Sequence, residues 1–120
     1  MKPEAERWLV KASEDLADAR VLLEHGSPGA ASFHAQQAAE KALKAVLLEQ
    51  QGAFPRIHDL AVLADKAGAP KDLRERSGVL SRAYVAARYP DVDEPADMEE
   101  AAALVQTAEE VVAWVRRHLS

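Results

Sequence analysis

Residues 33–52, FHAQQAAEKALKAVLLEQQG, decide the fold of this chain. Alanine, leucine, lysine, glutamate and glutamine fill nearly every position, and all of them favour the α-helix. No glycine or proline interrupts the stretch before Gly52, which is expected to end the helix. At 100° per residue the apolar side chains collect on one face. That face consists of Ala35, Ala39, Leu43, Val46 and Leu47, flanked by Ala31, Ala38, Ala42 and Ala45. Because alanine lets a second helix come close, we predict a core helix.

The opposite face of this helix carries a polar stripe. Its members are Gln37, Glu40, Lys41 and Lys44, with Phe33 at one end and Leu48 at the other. Glu40 and Lys44 stand at i and i+4 in the favourable order, which predicts a surface ion pair of about 0.2–0.5 kcal/mol. Together with Gln37 and Lys41, the stripe offers an amide and two ammonium groups, a cradle for phosphate or carboxylate. A solvated helix face without function is the alternative.

The composition is that of one soluble globular domain. The chain has 120 residues, of which 48% are hydrophobic and 29% charged. Aromatic residues make up only 5%, which favours closely packed helices over a sheet sandwich. The chain has no cysteine, so disulfides and thiolate metal sites are excluded. The histidines show no i, i+4 pair and no HExxH motif, so we expect neither a metal site nor a cofactor.

The N-terminus and the net charge indicate the location of the protein and the classes of partner that it could bind. The opening residues, MKPEAERWLV, lack the apolar run of a signal peptide. No stretch approaches the roughly 20 apolar residues that cross a bilayer, so we expect a cytoplasmic protein with no membrane contact. The net charge of −5 argues against a general nucleic-acid coat protein. A basic segment from Lys71 to Arg88 precedes an acidic one from Asp91 to Glu110, and the two could pair or form separate solvated faces.

Helical periodicity extends over the rest of the chain, and no period-2 strand pattern competes with it. The expected helices run from Pro3 to Glu24, from about Ala30 to Gln51, from Asp59 to Gly68, from Pro70 to Pro90 and from about Ala96 to Ser120. Short polar loops join them. We therefore predict an all-α fold in which residues 1–120 form a single domain, an antiparallel up-down bundle of four long helices plus one short helix.

A second polar cluster lies in the loop segment RIHDL, residues 56–60. In one interpretation His58 and Asp59 cap the short helix that follows. In the other, the imidazole of His58 is available for proton transfer or for contact with a phosphate.

A third cluster lies at the end of the fourth helix, in SRAYVAARYPD, residues 81–91. Arg88 could simply neutralise the last carbonyl groups of that helix. Arg82 and Tyr84 precede it by one to two turns, and Tyr89 and Asp91 follow it. Arginine beside tyrosine suits phosphate contact combined with base stacking, so both interpretations stay open.

Three segments of the chain together resemble the HEPN domain family (higher eukaryotes and prokaryotes nucleotide-binding). They are FHAQQAAEKALKAVLLEQQG, RIHDL and YVAARYPD. The resemblance covers nearly the whole chain, including the opening helix AERWLVKASEDLADARVLLE. It implies a compact helical bundle that commonly forms homodimers. It also implies a frequent partner in prokaryotes, a minimal nucleotidyltransferase, in a module similar to toxin–antitoxin pairs.

The resemblance also implies that the chain could cleave RNA without metal, as many members are proposed or known to do, through an arginine and a histidine separated by four to six intervening residues. Here the place of that arginine is held by Arg88, and the positions at that spacing are Asp93, Glu94 and Pro95. The ribonuclease motif is therefore absent from the expected position, and the match of Arg20 with His25 at the end of the first helix is treated as accidental. The polar positions that match the family's recurring ones, and that the resemblance places along its groove, are Gln37, Lys41, Lys44, His58, Arg88, Tyr89 and Asp91.

The sequence thus leads to one main hypothesis and two alternatives. The main one is a binding module for a nucleotide or RNA, a homodimer acting with a minimal nucleotidyltransferase. The first alternative is a divergent metal-independent ribonuclease, in which His58 replaces the missing histidine and Arg88 stabilises the transition state. The second is a structural partner protein with Trp8 or Trp114 as the anchor of an interface. Whether the chain is an enzyme stays open.

Overall fold

The computed structural model describes residues 1–88 and 97–120, and residues 84–88 by their backbone alone. Within these ranges the chain forms five α-helices. They are α1 (Pro3–Glu24), α2 (Pro28–Gln51), α3 (Leu60–Ala67), α4 (Lys71–Arg88) and α5 (Met98–Leu119). The prediction of an all-α fold with four long helices and one short helix is confirmed. Across the described ranges, no helix is both long and apolar enough to cross a membrane.

The helix boundaries follow local signals in the sequence. α2 begins at Pro28, slightly before the expected Ala30, because proline fits the first turn of a helix. It ends as predicted at Gly52, whose φ of 77° lies in the left-handed region that glycine adopts without strain. The side chain of Asp59 accepts a hydrogen bond of 2.9 Å from the backbone N–H of Ala61 and so caps α3.

α2 occupies the centre of the fold. Over the described residues it packs against α1, α3, α4 and α5, and each of the other helices contacts fewer partners. Its predicted apolar face is confirmed, because all of these side chains are fully buried: Ala31, Ala35, Ala38, Ala39, Ala42, Leu43, Ala45, Val46 and Leu47. Small side chains let several helices approach α2 closely, so its remaining polar face lies near residues of its neighbours.

Two further features concern points that the sequence left open. The basic and acidic helices pair in part, since Arg76 of α4 forms an ion pair with Glu110 of α5. Trp8 and Trp114, considered above as interface anchors, are half-buried and pack against the core of their own chain. Trp114 also stacks on His118, with ring centroids 4.6 Å apart. Both tryptophans therefore contribute to the packing of the bundle.

Candidate functional site

The polar side of α2 meets the loop that joins α2 to α3, and this contact creates the candidate site. After Gly52 the chain turns back along α2 and reaches α3 at Leu60. The hydroxyl of Ser81, on α4, accepts a hydrogen bond of 3.2 Å from the N–H of Leu60 and donates one of 3.4 Å to the carbonyl of His58. The backbone of His58 is thus held beside the polar stripe.

Glu40 is the hub of a hydrogen-bond network in this site. Its carboxylate accepts a hydrogen bond of 3.0 Å from Nζ of Lys44 and one of 3.1 Å from Nε2 of Gln36. Nδ1 of His58 lies 3.1 and 3.2 Å from its two oxygens. Gln37 extends the network by donating a hydrogen bond of 2.7 Å to Gln36. Side chains from α2 and from the loop therefore converge on one carboxylate.

The ion pair of Glu40 and Lys44 is buried, and the prediction that it lies on the surface was wrong. Glu40 is 6% exposed and Lys44 5%. Nζ of Lys44 lies 4.9 Å from the ring centroid of Phe54 and 5.9 Å from that of Trp8. These two rings meet edge to face, at a centroid distance of 4.9 Å. The aromatic pair shields the ammonium group from water and adds a cation–π attraction.

The imidazole of His58 is the most exposed part of this network, and a ligand can reach it. Its side chain is 75% exposed, although Nδ1 bonds to the buried Glu40. Of His58 and Asp59, which one interpretation made joint caps of α3, only Asp59 bonds through its side chain to the N-terminus of that helix. A carboxylate that holds one ring nitrogen orients the ring and directs the other nitrogen outwards. This geometry suits recognition of a polar ligand or transfer of a proton.

Lys41 belongs to a neighbouring cluster on the same side of α2. Its ammonium group forms an ion pair with Asp15 of α1. The other carboxylate oxygen of Asp15 lies 3.3 Å from Nδ1 of His34. Asp15, Asp18 and His34 have potential ligand atoms within 4.8 Å of one another, an arrangement that the sequence did not reveal. Lys41 neutralises Asp15, which is one of the two carboxylates of this cluster.

The predicted site residues thus fall into three groups. Gln37, Lys44 and His58 share the network around Glu40. Lys41 lies beside that network and is paired with Asp15. Arg88 is the last residue of α4 and is described by its backbone alone. Tyr89 and Asp91 lie outside the described residues.

Sequence reasoning did not identify several residues that shape the site. Gln36 is fully buried and bonds to Glu40, and the only signal for this bond was their i, i+4 spacing. Phe54 and Ser81 act through contacts with residues far away in the chain, so local patterns carry no sign of them. His34 lies on α2 next to Phe33, but its partner Asp15 belongs to α1.

Comparison with known proteins identifies similar chains. The family model described as HEPN domain matches residues 5–118. Among solved structures, TT1696 from Thermus thermophilus is 31% identical, with 97% of this chain and 98% of that chain covered and a TM-score of 0.86. ST0689, an archaeal HEPN homologue, is 30% identical over 100% of both chains, with a TM-score of 0.81. The HEPN domain protein tm0613 from Thermotoga maritima is 26% identical, covering 94% of this chain and 97% of that one, with a TM-score of 0.72. No match was found among curated proteins.

Removing the buried carboxylate should destabilise the protein. We expect Glu40→Ala to lower the free energy of unfolding by about 3–5 kcal/mol, because Lys44 is then a buried charge without a partner. The measurement is urea denaturation followed by circular dichroism. Glu14→Ala is the matched control, since it removes the exposed ion pair of Lys11 and Glu14 and should cost less than about 1 kcal/mol.

The double variant Glu40→Gln, Lys44→Met should recover most of the stability that Glu40→Ala loses. Equal losses in Glu40→Ala and Glu14→Ala would contradict the burial of the pair.

Proposed function

Because this chain belongs to the HEPN domain family, we propose that it is a binding module for a nucleotide or RNA, with its ligand site on the polar side of α2. The proposed ligand contacts are His58 and Gln37, with Arg88 at the end of α4. Tyr89 and Asp91 are included in the proposed site because the resemblance of the sequence to the family places them along the same groove. Lys41 and Lys44 shape the site and set its charge.

The observation that carries the proposal is the exposed imidazole held by a buried carboxylate. A buried ion pair contributes little net stability, and apolar residues of the same volume often serve the fold as well. Glu40 and Lys44 nevertheless lie in the centre of the bundle with Gln36 beside them. Their common effect is to orient His58 towards solvent. A buried polar network that orients one exposed side chain is typical of a binding or catalytic site.

The lysines of the site are already paired with carboxylates, so we expect the ligand to be recognised by hydrogen bonds more than by attraction between opposite charges. Lys44 is neutralised by Glu40 and Lys41 by Asp15. The two lysines therefore do not act as the free phosphate cradle that the polar stripe indicated. Recognition in this proposal depends on directed donors and acceptors, namely the imidazole of His58 and the amide of Gln37.

Binding can be tested by isothermal titration calorimetry with ATP, GTP and short RNAs at low salt. We expect one of these ligands to bind and His58→Ala to weaken that binding about tenfold, the effect of losing one directed hydrogen bond. His25→Ala is the control, because it removes an exposed imidazole that bonds only to the carbonyl of Val21, among the described residues, at the end of α1. An absence of binding by wild type at millimolar ligand would contradict the proposal.

A metal-independent ribonuclease is the second candidate function, and the pairing of Glu40 with His58 favours it. A carboxylate that orients an imidazole is a frequent arrangement in general base catalysis. In this mechanism His58 takes the proton of a ribose 2′-hydroxyl as its oxygen attacks the adjacent phosphorus. The bond from phosphorus to the 5′-oxygen of the next nucleotide breaks, and a water molecule supplies the proton to that oxygen. Arg88 stabilises the charge on the phosphoryl oxygens.

This second candidate is tested by incubating labelled RNA with the protein in EDTA and following the cleavage products on a denaturing gel. If His58 is the base, His58→Ala should reduce the rate by about 10²–10⁴-fold, and His25→Ala should leave it unchanged. Inert wild type and inert His58→Ala would remove the enzymatic function and leave the binding module.

The proposal includes a homodimer and a minimal nucleotidyltransferase as partner, in a pair similar to toxin–antitoxin modules. Support comes from the family and from the outer side of α1, where Val10 and Val21 are each 52% exposed. Exposed apolar side chains on one helix suit a contact with another protein.

The assembly can be measured by size-exclusion chromatography with light scattering. The purified chain should elute at about twice its own mass, and a minimal nucleotidyltransferase encoded next to it should co-elute after co-expression. A monomer at high protein concentration would contradict the homodimer, and separate elution would contradict the partner.

A further inference from the structure

Asp15, Asp18 and His34 form a cluster of metal-ligating side chains outside the network around Glu40. The two aspartates lie one turn apart on α1, and His34 lies on α2, which packs against α1. Each residue offers one ligand atom, and these atoms all lie within 4.8 Å of one another. The sequence expectation of no metal site rests on the spacing of histidines within one helix. This cluster joins two helices, so that spacing does not apply to it.

The distance between His34 and Asp15 fits a shared metal ion better than a strong hydrogen bond. Nδ1 of His34 lies 3.3 Å from Oδ1 of Asp15. A charge-assisted hydrogen bond between nitrogen and a carboxylate oxygen is shorter, about 2.7–2.9 Å. Two ligand atoms that each lie about 2.0–2.1 Å from a tetrahedral zinc ion are roughly 3.3–3.4 Å apart. The two atoms therefore already have the spacing of two zinc ligands.

Lys41 holds Asp15 in an orientation that suits a metal ligand. Its ammonium group forms an ion pair with Oδ2 of Asp15, and Oδ1 is directed to His34. The side chain of Asp15 is mostly buried, so packing restricts it further. In metal sites a ligating carboxylate is usually held by such a hydrogen bond from outside the coordination sphere. Lys41 is thus a positioning residue in this cluster, and it leaves Oδ1 of Asp15 available.

Asp18 is the carboxylate of the cluster that lacks a counter-ion. Within residues 1–88 and 97–120, no hydrogen bond or ion pair engages its exposed side chain. One turn before it on α1 lie two acidic residues, Glu14 and Asp15, and one turn after it lie the apolar Val21 and Leu22. Like charges one turn apart on a helix repel each other. A cation bound between the carboxylates of Asp15 and Asp18 removes this repulsion.

We propose that Asp15, Asp18 and His34 bind a zinc ion that links α1 to α2. Zinc accepts an imidazole nitrogen together with carboxylate oxygens, whereas magnesium and calcium prefer oxygen ligands alone. Three ligands from the protein leave the fourth position of the tetrahedron to water. The site shares no ligand residue with the network around Glu40, so this inference does not depend on the proposed binding function.

The test is isothermal titration calorimetry with zinc chloride near neutral pH, on the whole chain after removal of bound metal by EDTA and dialysis. Wild type should show one tight zinc site per chain. Asp18→Asn and His34→Ala should each weaken binding about tenfold or more, because each removes a ligand of the ion. Magnesium chloride at the same concentration should produce no heat of binding.

Two matched controls keep the comparison specific to the cluster. Glu14→Gln removes a carboxylate of α1 that pairs with Lys11, and His25→Ala removes an exposed imidazole at the end of α1. Both variants should bind zinc as wild type does. Zinc should also raise the melting temperature of wild type more than that of Asp18→Asn, because a ligand of the native state stabilises it. Asp18 is exposed, so Asp18→Asn keeps the test valid if His34→Ala does not fold.

Three results would overturn the inference. Wild type could bind no zinc, or bind magnesium as tightly as zinc. Asp18→Asn could bind zinc as tightly as wild type, which would place the ion at other side chains. None of these results affects the binding of nucleotide or RNA, which is measured separately.

Discussion

The buried ion pair between Lys44 and Glu40 is the constraint on which the site depends. A charge in the interior of a protein requires a partner of opposite sign and enough hydrogen bonds to replace water. Glu40 receives these bonds from Lys44, Gln36 and His58, and Lys44 lies against the rings of Trp8 and Phe54. Trp8 belongs to α1, and Phe54 and His58 to the loop after α2. The same pair therefore connects α1, α2 and the loop at one point.

The alanine-rich face of α2 explains why charged residues become buried at all. Because that face allows close approach, α2 packs against the other four helices in the described part of the chain. A helix surrounded in this way keeps only a narrow open side, and residues at the margins of its polar stripe are covered by neighbours. Glu40 and Gln36 lie at the margin that faces the loop, whereas Lys41 lies at the margin that faces α1. The core packing thus decides which polar residues remain accessible.

Two lysines of similar appearance in the sequence have different surroundings in the fold. Lys41 is a partly exposed residue paired with Asp15, and Lys44 is a buried residue paired with Glu40. Neither is a free cation, and the exposed group of the site is the imidazole of His58. Recognition through directed hydrogen bonds depends less on salt than recognition through lysines. This is consistent with a protein whose net charge is −5.

The sequence by itself determined the helical fold, because the signals for a helix are local. The 3.6-residue period marks the buried face of α2, Gly52 ends that helix and Asp59 caps the next one. The resemblance of the sequence to the HEPN family also predicted one groove lined by Gln37, Lys41, Lys44, His58, Arg88, Tyr89 and Asp91, of which Gln37, Lys44 and His58 share the network around Glu40. Only the tertiary structure decided that Lys44 is buried, that Asp15 neutralises Lys41 and that Glu40 holds His58. Most of these contacts join residues far apart in the chain, and burial depends on the packing of several helices. Their free energies depend on distance and exclusion of water, which no local pattern of residues encodes.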